Sequence, residues 1–82
     1  MDKQKYIKVN GKLINVNHIV LVNETERNFD GNNIQIHLSN RYCIKISNTN
    51  KELYNKIINF MTNDTSVENV LNIYKEISIE KI

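Results

Sequence analysis

The chain predicts a single α+β domain, a curled antiparallel β-meander of four to five strands followed by two short helices. Three features carry this expectation. Apolar and polar side chains alternate from Asn33 to Ile46 around a short polar turn, Asn10-Gly11 interrupts a second alternating run, and from residue 47 the apolar period changes from two to about 3.6. The expected boundaries are 5–46 for the meander, about 50–61 for one helix and about 66–78 for the other, within one domain of 1–82. Eighty-two residues bury one thin core and leave no room for a deep catalytic cleft.

In the first hairpin, Tyr6 to Val16, Asn-Gly takes the two positive φ values of a type I′ turn. The two-residue loop pairs Val9 with Lys12 and Ile7 with Ile14. Ile7, Val9, Ile14 and Val16 then share a core face, opposite Tyr6, Lys8, Leu13 and Asn15. Ile19-Val20-Leu21-Val22 is apolar on both faces, as in a strand covered on each side or one turning a corner. Glu24 to Asn32 is polar, contains Asp30-Gly31 and reads as a loop. In the next hairpin a three-residue loop, Ser39 to Arg41, sets Leu38 opposite Tyr42, Ile36 opposite Ile44 and Ile34 opposite Ile46, all on the core face. Gln35 then faces Lys45, and His37 faces Cys43, on the other.

Thr49-Asn50-Lys51-Glu52 is a capping-box pattern, with the Thr49 hydroxyl and Glu52 carboxylate expected to satisfy each other's backbone amides. Leu53, Ile57, Phe60 and Met61 form the apolar stripe of the helix that follows, with Tyr54 and Ile58 at its border. Thr65-Ser66-Val67-Glu68 repeats the box. Val67, Val70, Leu71, Tyr74 and Ile77 lie on one face of the expected second helix, to be packed on the sheet, on the first helix or on another protomer.

Composition narrows the function classes. Asn occurs 15 times, Ile 13 times and Lys nine times, with no Pro or Trp; all three residues have A/T-rich codons, so a low-GC genome explains the bias. The formal charge of +2 is small for a nucleic-acid protein. One cysteine forms no internal disulfide, and no apolar run of signal-peptide length follows Met1-Asp2-Lys3-Gln4-Lys5. The expectation is a cytoplasmic protein without membrane insertion, in a bacterium or, if phage-encoded, in the host cytoplasm.

Two constellations come nearest to chemistry. His37 and Cys43, directly opposite on an antiparallel pair, bring Cβ atoms to about 4.5–5.5 Å, near enough for an imidazole to influence a thiol. An open sheet face supplies no oxyanion hole, cleft or orienting third group, so an enzyme is not expected. His18, His37 and Cys43 lack the spacing of a structural zinc site, and neither a metal nor a cofactor is expected. Lys3, Lys5, Lys8 and Lys12 crowd the first hairpin. They read either as a phosphate-contacting edge or, preferably, as a solvated edge strand guarded against sheet-to-sheet pairing.

Val9-Asn10-Gly11-Lys12, Asn17-His18-Ile19, Ile34 to Asn40 and a short helix containing Glu52 and Lys56 together resemble the small flagellar FlbD (SwrD) proteins over about residues 6–61. A similar strand order occurs in the LytTR type of DNA-binding domain, whose longer basic loops are absent here. The chain departs from the flagellar pattern in a longer 24–32 loop, a second hairpin without the usual glycine, and the added segment from about residue 66. The resemblance implies a cytoplasmic, non-enzymatic bacterial protein acting through contacts, and it assigns no binding residue.

The expected function is therefore a protein-interaction module that binds and modulates a larger bacterial protein or assembly, with Gln35, His37, Cys43, Lys45, Leu71 and Tyr74 as interface candidates and a homodimer as one form. One alternative is a phage- or mobile-element-encoded inhibitor that occludes a host enzyme or defence complex. The other is a nucleic-acid-binding regulator that contacts phosphates through Lys5, Lys8 and Lys12.

Overall fold

The computed structural model describes residues 4–25, 31–63 and 68–81, which form seven strands, a 3₁₀ turn and one α-helix. In chain order these are β1 (Tyr6–Val9), β2 (Lys12–Asn15), the turn Val16–His18, β3 (Ile19–Thr25), β4 (Asn32–Leu38), β5 (Tyr42–Thr49), α1 (Lys51–Thr62), β6 (Val70–Ile73) and β7 (Ile77–Lys81). The strands make two sheets, ordered β2-β1-β6 and β3-β4-β5-β7.

Both hairpins have the register that their alternation dictates. Val9 pairs with Lys12 and Ile7 with Ile14, across a turn in which Asn10 and Gly11 have φ of 48° and 83°. Ile34 pairs with Ile46, Gln35 with Lys45, Ile36 with Ile44 and His37 with Cys43, and Arg41 closes the turn at φ 70° with its N–H donating to the Leu38 carbonyl at 3.1 Å. Beyond Ile46 the ladder shifts so that Asn32 faces Thr49. Asn48 takes up the extra residue at φ 57°, a conformation its short amide tolerates better than most side chains do.

The second expected helix is not formed. Residues 68–78 include β6 and the start of β7, while Thr65, Ser66 and Val67 of the supposed capping box lie outside the described residues. β6 runs parallel to β1, with Ile7 beside Leu71 and Val9 beside Ile73, and β7 runs antiparallel to β5. The physical reason is that Leu71 and Ile73 also satisfy a period of two, with exposed Asn72 between them. Two adjoining strands complete the backbone hydrogen bonds of a segment too short and too rich in β-branched residues to hold a helix by itself.

The simple meander is replaced for the same reason. The parallel β1–β6 pair joins the two ends of the described chain, and β1, expected at an edge, is the central strand of its sheet. The polar stretch from Glu24 to Asn32 is shorter as a loop than expected, because Glu24, Thr25 and Asn32 are strand residues; 26–30 lie outside the described residues.

Ile7, Val9, Ile14, Ile34, Ile36, Ile44, Ile46, Leu71 and Ile73 from the sheets meet Ile57 and Phe60 of α1 in one core. Leu53, Tyr54 and Met61 pack at its margin, as the helical stripe predicts. The α1 cap differs from expectation by one residue. Asn50, not Thr49, is the N-cap, its side-chain oxygen accepting from Leu53 N–H at 2.8 Å; Thr49 is buried at the strand end and donates its hydroxyl hydrogen to the Asn32 carbonyl at 2.8 Å.

Both ends of α1 are tied to the sheets. Lys51 reaches the Glu24 carboxylate on β3 at 3.1 Å, and at the other end Lys5, just before β1, donates to the Phe60 carbonyl at 2.8 Å and to that of Asn63. An ammonium group on terminal carbonyls satisfies acceptors the helix leaves open and meets the negative end of its dipole. The helix thus joins the two sheets through charge as well as through its apolar stripe.

Two further expectations are corrected at strand margins. Val20 and Leu21 are 66 % and 54 % exposed, so only Ile19 and Val22 of the apolar run face the core; a register shift between Ile19 and Leu21 turns two successive side chains outward. Tyr42, expected on the core face, is 38 % exposed beside the turn, with Lys81 Nζ 5.9 Å from its ring centre.

Candidate interaction surface

The face of the β3-β4-β5-β7 sheet away from the core is built by period-two alternation, with the register shift between Ile19 and Leu21 bringing Leu21 onto it. One row across it is Leu21, His37, Cys43 and Glu80, and the next is Asn23, Gln35, Lys45 and Ser78. Gln35, His37 and Lys45 are half-buried, whereas Leu21, Asn23, Ser78 and Glu80 are exposed. Lys45 and Glu80 form a diagonal ion pair at 3.1 Å, worth at most about 1 kcal/mol at this exposure. The result is a flat, mixed-polarity surface.

Cys43 differs from the half-exposed residue expected, being only 2 % exposed. The added strand β7, which sets Glu80 directly across from it, was not part of the expected sheet. Its Sγ lies 3.9 Å from His37 Nε2, a weak sulfur contact. Burial pushes the thiol pKa up, the nearby Lys45 charge opposes this, and the Glu80 carboxylate adds to it. The thiol therefore stays protonated at neutral pH, the opposite of what a nucleophile needs. Among the described residues no group of three or more His, Cys, Asp or Glu side chains is arranged to hold a metal ion.

The remaining candidates are not brought together here. Leu71 is 7 % exposed in the core of β6, and Tyr74, three residues on, is 83 % exposed between β6 and β7. Lys5 holds the end of α1, with its Nζ also 5.5 Å from the Phe60 ring centre. Lys8 stands on the strand face opposite Ile7 and Val9, and Lys12 begins β2 across from Val9. Lys3 lies outside the described residues.

Sequence reasoning missed one concavity, an open hollow of about 340 Å³ between β2 and the β4–β5 turn, lined by Leu13, His18, Leu38 and Ser39 among others. The Ser39 N–H donates to the His18 carbonyl at 2.8 Å, and the Ser39 hydroxyl lies 3.4 Å from His18 Nδ1, long for a proton-transferring contact. The available signal was Ile19 pairing with Leu38, which follows once β3 is laid beside β4. Among the described residues no helix is long and apolar enough to cross a membrane. No protein-family model, curated protein or solved structure matches the chain.

Proposed function

We propose that the protein is a non-enzymatic interaction module that binds and modulates a larger bacterial protein or assembly through the outer face of the β3-β4-β5-β7 sheet. One observation carries this reading: Asn23, Gln35, His37 and Lys45 cover that face with half-buried and exposed side chains of mixed polarity, while Ile34, Ile36, Ile44 and Ile46 on the other face are buried in the core. Such a surface makes many weak polar contacts around a few apolar ones, as protein interfaces do. The protonated Cys43 thiol beside His37 supports contact in preference to covalent chemistry. The resemblance of residues 6–61 to the flagellar FlbD proteins points to the same mode of action. The nucleic-acid alternative is weakened, because the Lys5 ammonium is occupied by helix carbonyls.

Affinity capture from a low-GC bacterial lysate, with and without nuclease, tests the reading when wild-type bait is compared with an Asn23→Arg, Ser78→Arg double variant. The wild-type protein is expected to retain a stoichiometric, nuclease-resistant partner that the variant loses. A partner kept by both baits, or recovery only of nucleic acid, contradicts it.

A further inference from the structure

Four strands form the edges of the two sheets, and they are anchored very unequally. β2 buries Ile14, and β6 buries Leu71 and Ile73. β3 packs Ile19 and Val22 against the core, and its Glu24 carboxylate holds Lys51 of α1 at 3.1 Å. β7 buries none of its residues: Ile77 packs against the core while half-buried, and Ser78, Ile79, Glu80 and Lys81 are exposed. Beyond its backbone ladder with β5, β7 is held by the Glu80–Lys45 ion pair and by Lys81 Nζ near the Tyr42 ring. Contacts of both kinds are weak where water reaches them. The chain just before β7 is firmer, because Asn10 donates its N–H to the Ile73 carbonyl and its side-chain amide to that of Lys75.

Beside this weakly anchored strand lies a buried group. Cys43 is 2 % exposed although it stands on the outer face, where Glu80 is directly across from it and the Glu80–Lys45 pair runs diagonally along its flank. We propose that β7 is a releasable strap: from Ile77 to Lys81 it detaches from β5 by local opening while the rest of the fold stays intact, uncovering Cys43 Sγ and freeing the Lys45 ammonium. The free energy of such an opening is set by the contacts of the segment that leaves, not by those of the whole core. The outer face therefore has two states, one with Cys43 covered and Lys45 paired, the other with both open to water. The inference concerns this chain alone and does not depend on the protein-partner reading.

Alkylation of Cys43, the one cysteine of the chain, by the slow reagent iodoacetamide tests it. The rate is read by mass spectrometry at neutral pH across urea concentrations below the unfolding transition, with circular dichroism giving global stability. The wild type is expected to react faster than its global unfolding constant allows, at a rate that urea changes little. Ile77→Ala, which weakens the strap, is expected to raise the rate on the order of 10-fold. Ile57→Val lowers global stability from within α1, away from β7, and is expected to leave the rate unchanged. A rate that rises with urea as steeply as global unfolding overturns the proposal, as does an equal acceleration by Ile57→Val or no response to Ile77→Ala.

Discussion

The β4–β5 hairpin and the β6–β7 segment each supply two strands that place isoleucines in or against the core, yet their sequences announce this very differently. In the hairpin the partner strands are separated by three residues, so alternation and turn chemistry act on the same short stretch and set the register. In the C-terminal segment neither strand pairs with the other. β6 joins β1, with Tyr6 N–H donating to the Asn69 carbonyl at 2.8 Å, and β7 joins β5, with Ser47 N–H donating to that of Glu76 at 3.0 Å. A strand whose partner is remote shows in its own sequence only the apolar positions. Val70, Leu71, Tyr74 and Ile77 fit a helical face as well as they fit two short strands.

The largest effects test whether the two regions share one core. Ile36→Ala, in the hairpin, is expected to cost about 3–4 kcal/mol by urea denaturation, because the side chain is fully buried. Leu71→Ala is expected to cost about 2–3 kcal/mol, slightly less at the sheet edge. A Leu71 loss below about 0.5 kcal/mol, typical of surface sites, would separate the C-terminal strands from the core and break the comparison. Tyr74, on the same face of a hypothetical helix, sharpens it: Tyr74→Ser should shift the urea midpoint by less than about 0.5 kcal/mol equivalent.

Intermediate effects come from the ends of α1, which bridges the regions. Lys5→Met is expected to lower stability by about 1 kcal/mol, by removing the ammonium from the Phe60 and Asn63 carbonyls. Asn50→Ala should cost a similar amount, about 1 kcal/mol, through loss of the cap to Leu53 N–H. Thermal unfolding of each variant, compared with Glu52→Ala, distinguishes the observed Asn50 cap from a Thr49–Glu52 box, which would make the Glu52 change the larger one.

An effect confined to alkaline pH comes from Cys43, beside the C-terminal strand β7. Because burial raises the Cys43 pKa above its ordinary 9.0, the folded state holds the thiol proton more tightly than the unfolded state does. Its contribution is complete below pH 9.0 and is lost as the pH rises through the folded value. The stability difference between the wild type and Cys43→Ala should therefore narrow above pH 9.0, by at most about 1.4 kcal/mol per pH unit, in denaturation series run side by side.

Much of the fold was legible because local and tertiary preferences agree. The registers of Ile7 with Ile14 and Ile36 with Ile44, and the buried stripe of α1, follow from period and turn type. The outer-face pairs Gln35–Lys45 and His37–Cys43 were legible for the same reason. What was hidden depends on contacts remote in sequence. The burial of Cys43 follows the arrival of β7, the engagement of Lys5 requires the end of α1, and the exposure of Leu21 results from a register shift that no residue type announces. The site is thus half legible: its side-chain pairs were expected, while its edges and its electrostatics were set by the C-terminal strands.

Site-specific photocrosslinking tests the central claim, contact through the outer sheet face, most directly. A photoreactive side chain at Asn23 lies on that face, and one at Lys8 lies on the other sheet, on the side away from its core residues. After irradiation in a low-GC bacterial host, the account predicts a discrete protein adduct from Asn23 and none from Lys8. Adducts from Lys8 alone, with protein or with nucleic acid, would contradict it.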